Sequence, residues 1–370
     1  MSSLELRNIS KGFKSGKVLD DVSLSVDAGE IVVVFGPSGT GKTVLLRIIA
    51  GVQDPDAGAV VIDGADVTDS APDQRGIGMA FQNFALFPHF STFDNIASPL
   101  EARGTPAGKL KEQVGAVARM LKIDHVLGHA PRELSNGQKQ RTALARALVA
   151  QPKVLLLDDP LRNVDAKLRY EMRLELPRLL RTFDAAVIYV TQDYKEAMAL
   201  GDHIAVLRNG RIEQWAAPAT VYRAPASVEV ARLFGDPTIN LLPCRLEAWG
   251  DGCGVTLFGR KLPVAASYLR AVGHDVIAGL RPEHVVVRET EMSSAIAFDL
   301  DAVMPVNVRS VLYLRGPAGV ELLATVAESD AGKFGRGHRK VWIDFAPEDL
   351  LLFDAATGAR LAPRTEARTN

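Results

Sequence analysis

The run Gly36-Pro37-Ser38-Gly39-Thr40-Gly41-Lys42-Thr43 has the spacing Gly-x-x-x-x-Gly-Lys-[Ser/Thr]. Such a run binds phosphate because its glycines let successive backbone N–H groups turn onto one anion. The lysine reaches the outer phosphate oxygens, and the following hydroxyl ligates Mg²⁺. The loop follows an apolar strand, Ile31-Val32-Val33-Val34-Phe35, and precedes Val44 to Ala50, which reads as a helix whose N-terminus favours the anion. A second segment suits the same chemistry. Val154-Leu155-Leu156-Leu157 is a continuous apolar run of the kind buried on both faces in parallel sheets. It ends in Asp158, a carboxylate placed to hold Mg²⁺ opposite the loop.

The elements that must position these residues alternate between strand and helix up to about Leu233. Leu4–Ile9, Ser23–Val26, Val60–Ile62 and Ala186–Val190 read as strands, and Gly108–Leu121, Gln138–Ala150 and Asp165–Thr182 as helices. This pattern predicts an α/β fold with a mainly parallel sheet. After Gly235-Asp236-Pro237 the chain changes to short β-prone runs separated by Gly, Asp and Pro, which predicts a small all-β domain. The expected organisation is therefore 1–235, 236–355 and a polar, disordered tail over 356–370.

Bulk properties narrow the function. A chain of 370 residues suits two domains or one large one. Its 43 basic and 44 acidic residues nearly cancel, so it lacks the charge footprint of a dedicated nucleic-acid binder. No apolar run approaches a membrane span, and Met1-Ser2-Ser3-Leu4-Glu5 has neither the basic start nor the apolar core of a signal peptide. Two cysteines, Cys244 and Cys253, point to a reducing compartment and not to a disulfide framework.

Further motifs stand in a telling order: Phe81-Gln82-Asn83, then Leu134-Ser135-Asn136-Gly137-Gln138, then Asp158, Asp165 and Val190-Thr191-Gln192-Asp193. From residue 4 to about 235 the chain resembles the ATP-binding subunits of ABC transporters. That resemblance implies a P-loop NTPase domain with a helical subdomain, and ATP and Mg²⁺ as cofactors. Phe13 would face adenine. Gly36, Pro37, Ser38, Gly39, Thr40, Gly41, Lys42 and Thr43 would hold the phosphates. Gln82 would serve as the glutamine loop and, with Thr43 and Asp158, as a metal ligand. Ser135, Asn136, Gly137 and Gln138 would be the signature acting on a partner's ATP, although Ser135 also reads as a plain helix cap. Asp165 would be the D-loop aspartate, and Asp159 and Gln192 would occupy the catalytic positions.

Asp165-Ala166-Lys167-Leu168-Arg169, Gly210-Arg211-Ile212-Glu213-Gln214 with Pro218, and Gly279-Leu280-Arg281-Pro282-Glu283-His284 resemble maltose- and glycerol-phosphate-type importers. The C-terminal domain would then be an OB-like (TOBE) barrel with structural and regulatory roles. The resemblance implies two ATP-binding subunits, head to tail, at the cytoplasmic face of the inner membrane. Two membrane-spanning permease subunits and an extracytoplasmic solute-binding protein would be the partners, with no nucleic acid. The solute would be a sugar, polyol or glycerol derivative. The aromatic-rich stretch Asn83–Phe93 would line the groove for the permease's coupling helix, with part of its side chains in the core.

Four positions depart from the family pattern. Asp159 stands for the usual Glu and is about 1.5 Å shorter. Gln192 stands for His; its amide donates a hydrogen bond but carries no proton. Asn136 replaces Gly; Asn tolerates left-handed backbone angles better than most residues, so the loop would keep its shape. Arg162 replaces the common Ser of the D-loop. Two changes at hydrolytic positions suggest a partly degenerate site working beside a second ATPase subunit. A fully active homodimer is the alternative. A soluble, non-transport ATPase of the family is a third, against which stand the single nucleotide module and the absence of heptads.

Overall fold

The structure is a computed structural model that describes residues 3–14, 16–292, 295–334 and 339–361. It divides into two compact units, Met1–Ala219 and Thr220–Asn370. The sequence expectation put the change at residue 235. Packing moves it earlier because Val228 and Ala231, on the helix Val228–Leu233, share a buried cluster with Ile239 and Phe353.

The first unit has two sheets. An antiparallel sheet pairs β1 (Leu4–Phe13), β2 (Gly16–Val26), β4 (Ala57–Ile62) and β5 (Ala65–Asp66) in the order β2-β1-β4-β5. The second sheet contains β3 (Ile31–Phe35), β6 (Ile77–Ala80), β7 (Val154–Asp158), β8 (Ala186–Thr191), β9 (His203–Arg208) and β10 (Arg211–Ala216), in the order β10-β9-β3-β8-β7-β6. Five of its strands are parallel and only edge strand β10 runs antiparallel. Strands β3, β7 and β8 are buried at every position, which is why they read as unbroken apolar runs. Helix α1 (Lys42–Ile49) buries Leu45, Leu46, Ile48 and Ile49 in a core shared with both sheets.

Helices α2 (Thr92–Ala102), α3 (Ala107–Met120) and α4 (Asn136–Leu148) pack on one another as the helical subdomain. The start of α2 is fixed by a capping box between Ser91 and Asp94. Helix α5 (Ala166–Leu180) follows β7, and α6 (Tyr194–Leu200) follows β8.

Among the described residues of the second unit, ten strands pair antiparallel, in two five-stranded sheets. One contains β11 (Asn240–Trp249), β12 (Gly252–Leu257), β13 (Arg260–Val264), β14 (Asp275–Leu280) and β20 (Leu351–Asp354). The other contains β15 (Val286–Arg288), β16 (Ile296–Val306), β17 (Arg309–Arg315), β18 (Glu321–Ala327) and β19 (Arg339–Asp344). Both contribute to one apolar core that includes Leu246, Leu280, Leu312 and Val341. Cys244 and Cys253 are unpaired thiols. The disordered tail expected from residue 356 needs correction over its first part. Ala359 bridges Ser227, Arg360 bridges Phe353, and the Asp354 N–H donates to the Ala359 carbonyl at 2.8 Å. Residues 362–370 lie outside the described residues.

One buried cation holds the far end of α1. Arg75, 4 % exposed, donates to the carbonyls of Ile48 and Ile49 at 2.9 Å each, Ser70 at 2.9 Å and Thr68 at 2.7 Å. Helix C-termini leave such carbonyls without intrahelical partners. Replacing Arg75 by Met should therefore destabilise the chain by about 3 kcal/mol, since charged hydrogen bonds are lost and buried acceptors are stranded. A urea-unfolding midpoint that does not move would show that these carbonyls find other donors.

Candidate functional site

Parallel register assembles the site. Phe35 at the end of β3 is level with Thr191 at the end of β8, and Asp158 at the end of β7 is level with Val190. The segments leaving these three strands therefore emerge side by side. They carry the phosphate loop, Asp158-Asp159 and Gln192. Open α/β sheets bind ligands beyond the carboxyl ends of their strands for this reason. A cleft of about 400 Å³ lies there, lined by Ser38, Gly39, Gly41, Lys42, Thr43, Gln82, Asp158, Asp159, Arg162 and Gln192, with Val18 from β2.

The loop needs its glycines at particular places. A side chain at Gly36 would put its Cβ 2.3 Å from the Leu207 carbonyl oxygen. Gly41, the N-cap of α1, has φ +98°, and a Cβ there would lie 2.9 Å from Leu19. The Lys42 ammonium donates to the Gly36 and Pro37 carbonyls, both at 2.7 Å. Burial pushes its pKa below the ordinary lysine value, opposed by the charges of Asp159 and Asp158. The Thr43 hydroxyl donates to Asp158 Oδ1 at 3.3 Å.

Asp158 and Asp159 are 7 % and 8 % exposed. Burial raises both carboxyl pKa values above the usual range. Thr43 and nearby cations oppose this at Asp158; Arg162 opposes it at Asp159, while Asp158 adds to it. Asp159 sits at φ +45°, a left-handed conformation that Asp adopts more readily than most residues. Its N–H donates to Val190 at 2.9 Å, and Arg162 Nη1 lies 3.6 Å from Oδ2. Gln192 Oε1 accepts a 2.6 Å hydrogen bond from the Ser38 hydroxyl, which joins the switch position directly to the phosphate loop.

The other expected site residues fall in different places. Gln82 lines the cleft, and its carbonyl accepts from Asn163 Nδ2 at 2.8 Å. Phe13 ends β1, 47 % exposed, and is not part of the cleft lining; Val18 is. Ser135, Asn136, Gly137 and Gln138 lie away from the cleft at the start of α4. Ser135 caps this helix, with the Gln138 N–H donating to Ser135 Oγ at 3.3 Å and the Ser135 N–H donating to Gln138 Oε1 at 2.9 Å. Asn136 is the first helical residue and has no left-handed angle, so that part of the expectation is corrected: the position admits any residue that starts a helix. Asp165 is the N-cap of α5, accepting from the Leu168 N–H at 2.9 Å. Within Asn83–Phe93, Phe87 is exposed and borders a second groove of about 530 Å³ with Phe81, Pro99, Arg103 and Arg146.

Three further residues support the site. Arg169 donates to the carbonyls of Leu161, Arg162 and Val164 at 3.0–3.2 Å and so fixes the loop after Asp159. Arg146 on α4 donates to the carbonyls of Phe84 and Ala85, two left-handed residues just after Gln82. Glu196, 1 % exposed on α6, accepts from Tyr189 at 2.8 Å and from Thr191 at 2.9 Å. Thr191 in turn accepts from the Asp193 N–H at 3.0 Å, so the network grips both sides of Gln192.

Fold and cleft together define a P-loop nucleotide-binding protein carrying a second, mainly β unit. The ABC transporter family matches residues 19–162, and the MalK OB fold domain matches residues 235–285. The sn-glycerol-3-phosphate import ATP-binding protein of Psychromonas ingrahamii is 38% identical over 98% of this chain and 96% of its own length. Its counterpart from Salmonella typhimurium is 38% identical over 98% of this chain and its entire length. Among solved structures, the ATP-binding cassette MJ0796 bound to ADP and Pi superposes with a TM-score of 0.52 at 29% identity, over 58% of this chain and 98% of its own. The chain belongs to the ATP-binding subunits of ABC transporters and is an ATPase. Among the described residues, no helix is long and apolar enough to cross a membrane.

Glu196 should give the unit a pH-dependent stability. Burial raises its pKa from 4.5 to about 7, against the Tyr189 and Thr191 hydrogen bonds, with Asp193 and Asp159 adding to the rise. Because the folded state holds this proton to higher pH than the unfolded state, the stabilisation is present below about pH 4.5 and is lost as pH rises towards about 7. The loss should amount to about 3 kcal/mol at this one group. Glu196→Gln should flatten that segment of the stability profile, read as the urea midpoint between the two pH values. An unchanged slope in the variant would refute the assignment.

Proposed function

We propose that the chain binds and hydrolyses Mg-ATP at this cleft and drives import of sn-glycerol 3-phosphate, or a related polyol or sugar, through a membrane permease. The observation that carries the reading is the convergence of Lys42, Thr43, Asp158, Asp159 and Gln192 on one space, in a chain that aligns almost end to end with import subunits. The choice of solute follows the names of those relatives alone.

Each residue has a physical task. Lys42 and the loop N–H groups neutralise the phosphates. Thr43 Oγ1 and Asp158 Oδ1 are hard oxygen donors 3.3 Å apart, and Gln82 borders the same cleft. Among the described residues no cluster of three or more His, Cys, Asp or Glu side chains could hold a metal alone. This set suits Mg²⁺, which is commonly held by one or two protein oxygens together with substrate phosphates. When bound there, Mg²⁺ supplies charge neutralisation. Asp159 takes the proton of the attacking water, and the Gln192 amide donates to the γ-phosphate. Phe13 and Val18 offer the adenine an apolar face.

The signature residues Ser135 to Gln138 stand outside their own chain's cleft, which supports their acting on ATP held by a second subunit. That subunit is best read as another copy of this chain. Asp159 and Gln192 both face the cleft with partners in place, so nothing in the geometry calls for a second kind of ATPase subunit. Hydrolysis then opens a dimer that ATP holds shut. The groove beside Phe87 receives the permease's coupling helix, and the protein sits peripherally at the cytoplasmic face of the inner membrane, below two permease subunits served by a solute-binding protein.

Three measurements test this. Lys42→Ala should abolish measurable binding of a fluorescent ATP analogue; retained affinity would remove the loop as the site. Asp159→Asn should leave ATP binding intact and lower phosphate release by roughly 10²-fold or more, the usual contribution of a general base. Native mass spectrometry of the complex purified with its permease should count two copies of this chain. One copy beside a different ATPase subunit would restore the heterodimer.

A further inference from the structure

Arg162 is one of two cationic side chains that line the nucleotide cleft; Lys42 is the other. The two differ in how their donors are used. Lys42 is engaged by the loop carbonyls of Gly36 and Pro37. Among the described residues the Arg162 guanidinium makes no hydrogen bond. Its single ionic contact there is Asp159 Oδ2 at 3.6 Å, beyond hydrogen-bond distance, and the side chain is 48% exposed. Its backbone is held firmly even so. The Arg162 N–H donates to the Asp159 carbonyl, Arg169 donates to the Arg162 carbonyl, and Asn163 donates to Gln82. A fixed backbone thus presents an unspent five-donor fork to a cleft built for phosphate, and guanidinium geometry matches phosphate oxygens two at a time.

The rest of the cleft explains the need for it. Two carboxylates, Asp158 and Asp159, line the same space, while the switch position carries the neutral amide of Gln192. The terminal phosphate, the most highly charged part of a triphosphate, would meet Asp159 across that space. We infer that Arg162 is a γ-phosphate-binding residue, acting within its own chain, that makes the site discriminate a nucleoside triphosphate from a diphosphate. It pairs loosely with Asp159 and exchanges that carboxylate for the γ-phosphate oxygens when a triphosphate enters. This rests on the nucleotide reading of the cleft given above. Arg162 therefore sets specificity, whereas Lys42 sets affinity for either nucleotide.

The test measures equilibrium affinities of β,γ-imido-ATP and of ADP, both with Mg²⁺, for the full chain and for Arg162→Ala, Arg162→Lys and Lys42→Ala. Arg162→Ala should weaken the triphosphate analogue by about tenfold to a hundredfold, the range for lost charge-assisted hydrogen bonds. ADP affinity should change by less than about twofold, since no contact to the β-phosphate is removed. Arg162→Lys should recover part of the loss, because it keeps the charge but not the fork. Equal weakening of both nucleotides, or of neither, while Lys42→Ala still loses both, would overturn the Arg162 assignment alone. Retention of both nucleotides by Lys42→Ala would instead overturn the nucleotide reading of the cleft.

Discussion

Parallel pairing of three buried strands is the constraint on which the site depends. Strands β3, β8 and β7 are neighbours, and their register levels Phe35 with Thr191 and Val190 with Asp158. The loop after β3, the end of β7 with Asp159, and the residue after β8 carry the chemistry. A slip in this register would carry Lys42, Asp159 and Gln192 out of one another's reach together. No side-chain contact in the cleft could compensate, because the strands are fully buried and the sheet sets their spacing. The apolar character of the strands and the polar character of the cleft are thus one arrangement seen at two levels.

Around that edge the loops are tied to one another. Asn163 links the segment after Asp159 to the carbonyl of Gln82, and Arg146 links the signature helix to the residues just beyond Gln82. Gly137 lies against Leu168 so closely that a Cβ would approach Leu168 Cδ2 to 2.4 Å, which joins the signature to the first turn of α5. Segments far apart in sequence therefore form a connected shell. Hydrogen bonds to backbone thus tie the cleft loops towards the groove beside Phe87, and side-chain packing ties them to the signature.

Much of this was legible in the sequence, for physical reasons. A strand buried on both faces needs apolar residues at every position, so β3, β7 and β8 stand out. The loop reads clearly because Gly36 and Gly41 answer real steric demands. Strand β2 was harder: it alternates buried and exposed positions and includes Asp20 and Asp21, so only its apolar end, Ser23–Val26, looked like strand. Helix α2 was hidden by the aromatic residues before it. The domain boundary was set by composition, which follows loops, whereas packing follows Val228, Ala231 and Phe353. The roles of Glu196 and Arg169 escaped notice because they exist only across a strand–helix contact or around a loop. Arg162 was visible as a departure, but its direction into the cleft was not.

The self-bonded lysine of the phosphate loop has its own consequence. Lys42 already has two neutral acceptors in the Gly36 and Pro37 carbonyls. Ligand entry is therefore a competition and not the filling of an idle donor. Weakly charged visitors, such as nucleosides or a sugar, offer the ammonium nothing better than what it has. Only an oxygen carrying substantial negative charge displaces a peptide carbonyl from it, because charge-assisted hydrogen bonds are roughly twice as strong as neutral ones. The same two bonds tie the lysine to the backbone of its own loop. A lysine held in this way favours a ligand for its charge over one for its shape.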